Sequence, residues 1–223
     1  MDFKNKKLII FDFDGTLINS IPDLTLAVNK MLEKYNRPAL TIEQTTPFIG
    51  NGAKTLVKRA LNASFGEENV SESFFNEAFK VYLNSYKENC CVGTYLYPGV
   101  KETLLFLQEK NYQMAICTNK PFAFIEPILQ NLEITPFFDY WIGEDSLSEK
   151  KPSAIPLLHI AEKLEVSVKD SLMVGDSKND ILAGQNAGMD TLGLTYGYNY
   201  NENISDYNPT VVKDRFSDLK VLF

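Results

Sequence analysis

The chain is poor in the residues that build thiolate metal centres, disulfide scaffolds and membrane spans. It has one histidine and three cysteines in 223 residues. Cys90, Cys91 and Cys117 form no CxxC pair and are odd in number, so neither a zinc site nor a disulfide framework is expected. Cys117 lies in an apolar run, where a cysteine is ordinarily a small buried hydrophobe, and reduced, structural thiols are the expectation. His159 stands in a helix-like stretch, Ile155 to Ala161, with no Cys or second His nearby, and is assigned a packing or surface role. Basic residues number 22 against 29 acidic ones, and the resulting net charge of -7 repels nucleic-acid phosphates and anionic lipid surfaces. The apolar run Leu8-Ile9-Ile10-Phe11 is too short to span a bilayer or form a signal-peptide core, and Asp12 ends it. A cytoplasmic chain without nucleic-acid or membrane partners is expected.

What is present suffices for a folded enzyme. Apolar residues make up 44% and charged residues 23%, close to the averages for folded soluble domains, and the length allows one large domain or one domain carrying an insert. Short apolar runs rich in β-branched residues alternate with longer amphipathic segments, which predicts an α/β fold with a parallel sheet covered by helices. The probable strands are Leu8 to Phe11, Gln113 to Cys117, Tyr140 to Ile142, Ser171 to Val174 and Thr191 to Leu194. Three of them run directly into polar turns: Asp12-Phe13-Asp14-Gly15-Thr16, Thr118-Asn119-Lys120 and Gly175-Asp176-Ser177. In open parallel sheets ligands bind beyond the carboxyl ends of the strands, so these turns should meet in one crevice. About a hundred residues separate the first strand from the second, too many for one crossover helix. Leu24, Ala27, Val28, Met31 and Leu32, then Leu56, Val57, Ala60 and Leu61, repeat at helical spacing and predict an inserted helical cap. Residues 18–93 are assigned to that cap, and 1–17 with 94–223 to the core. The stretch from Cys91 to Gly99 reads as its hinge or linker. The loop Tyr196 to Asn203 is polar and aromatic, with no chemistry assigned.

In the first turn two carboxylates lie two residues apart, on the same side of an extended chain. Like charges within about 4 Å repel by roughly 4 kcal/mol at an effective dielectric near 20, so a hard dication is implied. Asp176 and Asp180 close the last of the three turns. Each of these features also has an ordinary reading: either acid could cap a helix, Thr118-Asn119 could be a plain turn, and Lys151-Pro152 a surface helix start.

In order and setting, however, the Asp12 to Thr16 turn, Thr118-Asn119, Lys151-Pro152 and the run from Gly175 to Asp180 together resemble the haloacid dehalogenase superfamily of phosphotransferases over nearly the whole chain. The resemblance implies a Rossmann-like core and a Mg2+-dependent phosphomonoesterase. Asp12 would be the nucleophile, ionised at neutral pH without a base and forming a phospho-aspartyl intermediate more labile than the ester. Asp14 would protonate the leaving alkoxide and then deprotonate water. Asp12, Asp176 and the Asp14 carbonyl would hold Mg2+, and Lys151 would steady the charge on the phosphoryl group. Thr118 and the Asn119 amide would bind its oxygens, with Ser177 and Asp180 supporting from behind.

Within the cap, Gly50, Asn51 and Gly52 open a helix whose free amides, with Lys54 in its first turn, could bind a small anion such as a carboxylate; a plain helix-turn-helix corner is the alternative. Ile49 to Ala53, Lys151 to Leu164 and Gly193 to Tyr200 look like bacterial phosphoglycolate phosphatases, with Ser153 where such enzymes often carry a histidine. The expected substrate is therefore a small phosphorylated metabolite, 2-phosphoglycolate first. A sugar-phosphate phosphatase or phosphomutase is the alternative. A dehalogenase needs no acid/base aspartate two residues after its nucleophile, and a phospho-aspartate receiver has a different motif order. A catalytically dead binding protein would require intact motifs to mislead. The sequence assigns no oligomeric state.

Overall fold

The computed structural model describes residues 2–223. In chain order its strands and helices are β1 (Leu8–Phe11), β2 (Ile18–Asn19), α1 (Ile21–Lys34), α2 (Ile42–Thr45), α3 (Ala53–Phe65), α4 (Glu72–Asn89), β3 (Tyr95–Leu96), α5 (Val100–Glu109), β4 (Gln113–Cys117), α6 (Ile125–Asn131), β5 (Tyr140–Ile142), α7 (Ile155–Lys163), β6 (Ser171–Gly175), α8 (Lys178–Ala187), β7 (Asp190–Leu194) and β8 (Val211–Lys213).

The main sheet has the order β5-β4-β1-β6-β7-β8, and every pairing in it is parallel. The central strand β1 is Leu-Ile-Ile-Phe, buried throughout, as a parallel strand covered on both faces requires. Alternation sends its side chains to opposite layers: Ile9 and Phe11 join one core with Ile116, Val174 and helix residues from α5 and α6, while Leu8 and Ile10 join a second with Leu157, Ile160 and Ala183 of α7 and α8. Register decides where the polar turns fall. Phe11 lies opposite Ile116 on one side and Val174 on the other, so the three strands end almost level and Asp12, Thr118 and Asp176 leave the sheet together.

Helices α1, α3 and α4 bury the apolar positions anticipated from their spacing, Leu24, Val28, Met31, Leu56, Val57 and Leu61 among them, with Tyr82 and Tyr86 of α4. Ser71 caps α4 through the amide of Phe74, and a Thr41/Gln44 capping box starts α2. The two connections to these helices run side by side. β2 pairs antiparallel with β3, Ile18 opposite Leu96, and Asp23 accepts hydrogen bonds from the amides of Val92, Gly93 and Thr94 and from the Thr94 hydroxyl at 2.6–3.1 Å. The stretch expected to be a linker thus contains a short strand, fixed by a partner far away in sequence. The edge strand β8, also unanticipated, pairs with β7. Cys117 is buried and free, with burial pushing its thiol up to about 12, which keeps it protonated and inert. His159 lies on α7 beside the hydroxyl of Tyr140, the first residue of β5, at 3.2 Å.

Candidate active site

The turn after β1 places Asp12 over the sheet, 9% exposed. Its main-chain N–H donates to Val174 at 2.9 Å, which ties the turn to β6. The loop after β6 brings in Asp176, and the first turn of α8 brings in Asp180. One carboxylate oxygen from each of Asp12, Asp176 and Asp180 lies within 4.8 Å of the others. Lys151 Nζ reaches Asp12 Oδ1 at 2.9 Å and Asp180 Oδ1 at 2.6 Å.

Each acid has a different set of partners. Asp176 accepts from Thr16 Oγ1 and from the Tyr198 amide, both at 2.6 Å, and a Cβ on Gly15 or Gly197 would collide with its carboxylate. Asp180 closes the start of α8 by accepting from the Ser177 amide and hydroxyl at 2.9 and 2.8 Å, so Ser177 rather than Asp176 is the helix cap. With Lys151 on its other oxygen, Asp180 is fully engaged. Asp12 Oδ1 has the Lys151 ammonium at 2.9 Å and no other donor among the described residues.

Burial, reinforced by the negative charge of Asp180 and opposed by Lys151, raises Asp12 to about 7. Burial and the charges of Asp180 and Asp12 hold Asp176 well above the usual carboxylate range. Lys151 is pulled down by burial, but Asp12 and Asp180 outweigh that and keep its ammonium charged. With all acids ionised, the chain's own cation leaves two negative charges uncompensated in a buried cluster. This excess of buried negative charge, on three carboxylates with oxygens within 4.8 Å of one another, fits a bound divalent cation with oxygen ligands.

Asp14 is directed to another part of the cleft. It accepts from Ser20 Oγ at 2.5 Å and from Lys120 Nζ at 2.9 and 3.1 Å, and its carboxylate is not part of the Asp12, Asp176 and Asp180 cluster. Thr118 Oγ1 accepts from the Lys120 amide at 3.2 Å and keeps its own proton to donate. The side-chain amide of Asn119 donates to the Gly50 and Lys151 carbonyls at 3.2 and 3.0 Å. Asp12, Asp14, Thr118, Asn119, Lys151, Ser177 and Asp180 line one cleft with Gly50 and Gly52.

The helix start at Gly50 to Lys54 departs from expectation. The Ala53 amide donates to Glu144 Oε1 at 3.2 Å, Lys150 bridges Glu144 Oε2 and the Asn51 carbonyl at 2.7 and 2.9 Å, and Asn51 Oδ1 accepts from Asn179 at 3.0 Å. The anion at this helix start is the chain's own Glu144, and Lys54 is exposed and outside the cleft lining. Lys120, Asn179, Ser20, Tyr82, Tyr86 and Tyr198 were given no role from the sequence. A Lys immediately after Thr118-Asn119 is the available signal for the first; Tyr198 falls in the loop left without chemistry, and Tyr82 and Tyr86 carry no motif.

The family model described as haloacid dehalogenase-like hydrolase matches residues 9–194. A phosphoglycolate phosphatase of Colwellia psychrerythraea is 41% identical over 222 residues, covering 99% of this chain and 98% of the relative. One from Haemophilus influenzae is 43% identical over 215 residues, covering 96% of each. A crystal structure of a predicted phosphoglycolate phosphatase from Haemophilus somnus superposes with a TM-score of 0.92 at 40% identity, covering 96% of each chain. The chain belongs to the haloacid dehalogenase-like hydrolase family. Within it, the chain is a hydrolase of phosphoric monoesters.

Proposed function

We propose that the chain hydrolyses 2-phosphoglycolate to glycolate and phosphate, with Mg2+ as its cation and Asp12 as its nucleophile. The observation that carries the reading is Asp12 itself, buried among further carboxylates with Lys151 paired to its Oδ1 at 2.9 Å. The substrate rests on the relatives, which are phosphoglycolate phosphatases over almost their whole length. Residues 1–17 and 94–223 act as the catalytic core and 18–93 as the cap.

An Asp12 carboxylate oxygen attacks phosphorus, the ester P–O bond breaks, and the leaving alkoxide takes a proton from Asp14. Asp14 then removes a proton from a water whose oxygen attacks the same phosphorus; the acyl-phosphate P–O bond breaks, and phosphate leaves with Asp12 restored. Lys151 faces the oxygens on which negative charge gathers. Thr118 donates its hydroxyl to a phosphoryl oxygen, while Asn119 and Asn179 tie Gly50 of the cap to the core. Asp12, Asp176 and the Asp14 carbonyl would hold Mg2+, which supplies the positive charge that lets a dianionic phosphate approach a carboxylate.

Phosphate release is measured with Mg2+ on a panel of 2-phosphoglycolate, sugar phosphates, nucleotides and pyrophosphate. The expected result is a preference for 2-phosphoglycolate that EDTA abolishes, with Asp12→Asn folded and at least about a thousand-fold slower. An Asp12→Asn protein retaining substantial activity would end the mechanism, and a preference for another ester would displace the substrate.

A further inference from the structure

The helix start at Gly50 to Lys54 is filled by Glu144, so a second anionic group on a substrate needs another seat. The wall formed by α4 and the loop after β4 carries the donors for one. Tyr86 is 1% exposed, lines the cleft, and its hydroxyl has no hydrogen-bond partner among the described residues. Buried hydroxyls are ordinarily paired, and one left unpaired on a cleft wall points to a ligand. Lys120 is 4% exposed, and its Nζ stands 4.9 Å from the centre of the Tyr86 ring. Its ammonium has three hydrogens. Two contacts go to the Asp14 oxygens, leaving one hydrogen without an oxygen partner among the described residues.

Around these donors the wall is apolar: Leu24, Ile49, Leu56 and Phe124. An ammonium and a phenol in such surroundings match a compact group that only accepts hydrogen bonds and carries negative charge. Sugar hydroxyls also donate, and the one charged acceptor on this wall, Asp14, is already taken up by Ser20 and Lys120. Resting on the phosphatase reading above, we propose that Lys120 and Tyr86 form the seat for the substrate's carboxylate and so select short acidic phosphomonoesters over neutral ones. The seat joins the cap to the core: Tyr86 comes from the helices and Lys120 from the sheet.

The test compares 2-phosphoglycolate with 2-hydroxyethyl phosphate, which keeps the chain length and replaces the carboxylate with CH2OH. Tyr86→Phe removes one oxygen and leaves the Asp14–Lys120 contact in place; Lys120→Met removes the charge. The acid-over-alcohol ratio of kcat/KM is expected to fall about ten-fold in Tyr86→Phe, chiefly through KM, and further in Lys120→Met. Calorimetric titration of both compounds with Mg2+ into the Asp12→Asn protein, with and without Tyr86→Phe, reads the same ratio without turnover. An unchanged ratio in either variant, or an equal loss on both compounds, overturns the seat. A protein that binds the acid preferentially yet releases no phosphate keeps the seat and overturns the hydrolysis reading. One that binds both compounds alike overturns the seat.

Discussion

The sheet side of the cleft is lined by charge, whereas the helical side is lined by rings, methyl groups and main chain. On the sheet side, Asp12, Asp176 and Lys151 sit on loops leaving the strands and Asp180 in the first turn of α8, with the register of the central strands set by continuous ladders, and their contacts are short. On the helical side, Leu24, Ile49, Leu56, Tyr82 and Tyr86 present a mostly apolar wall, attached to the core by apolar contacts such as Tyr86 on Phe124 and by hydrogen bonds at its rim. Reactive groups need positions held within fractions of an ångström, which strand ends supply, whereas groups that shape a cavity tolerate a looser frame. On the proposed reading, chemistry belongs to the sheet side, and selectivity to the helical side together with Lys120.

The largest effect should come from upsetting the charge balance. Lys151→Met leaves Asp12, Asp176 and Asp180 buried without their one cation, and should cost about 3–5 kcal/mol of stability and about a hundred-fold or more in kcat. Urea unfolding and initial rates check both, and a variant of unaltered stability would show that the cluster is not held by this balance. A smaller effect should appear on removing divalent cations. Asp12 binds its proton up to about 7 in the folded chain against an ordinary value of 3.8. The folded state therefore holds more protons than the unfolded one across that interval, and cation-free stability is greatest below it and falls as pH rises through it. Melting curves in EDTA should shift downward from pH 5 to 7, and Mg2+ should raise the midpoint most above pH 7, where Asp12 is ionised. A flat EDTA profile would contradict the burial assigned to Asp12. The smallest effect should belong to the rim. Glu144→Gln keeps an acceptor for Ala53 but loses the partly exposed Lys150 pair, which should cost under about 1 kcal/mol and raise KM a few-fold with kcat held. A large kcat loss would move Glu144 into the chemistry and blur the division between the two walls.

Much of the charged wall was legible in the chain because it obeys local rules. A buried parallel strand must be apolar, and the residues that follow it must turn, so Leu8 to Phe11 followed by Asp12-Phe13-Asp14-Gly15 announces both an element and its exit. The same holds for Ser171 to Asp176, and the observed strands begin and end within a residue of these expectations. Helical periodicity likewise marked the apolar faces of α1 and α3. The failures share a different cause. β3 is two residues long and exists because Ile18 and Asn19 lie opposite it. Tyr198 matters to Asp176 through a main-chain amide, which no side-chain pattern reveals. The helix start at Gly50 looked like an anion site because a carboxylate does belong there, but Glu144, far along the chain, is the one that occupies it.

Period, apolarity and the position of acids after strands are properties of a few neighbouring residues, and they suffice to specify the layers, the crevice and the order in which reactive groups enter it. Partner choice is not local. That Lys151 spans Asp12 and Asp180, that Lys120 turns to Asp14 beneath Tyr86, and that Glu144 rather than a substrate fills the α3 start were decided only when distant segments became neighbours in a buried space, where each charge must find a counterpart and each donor an acceptor.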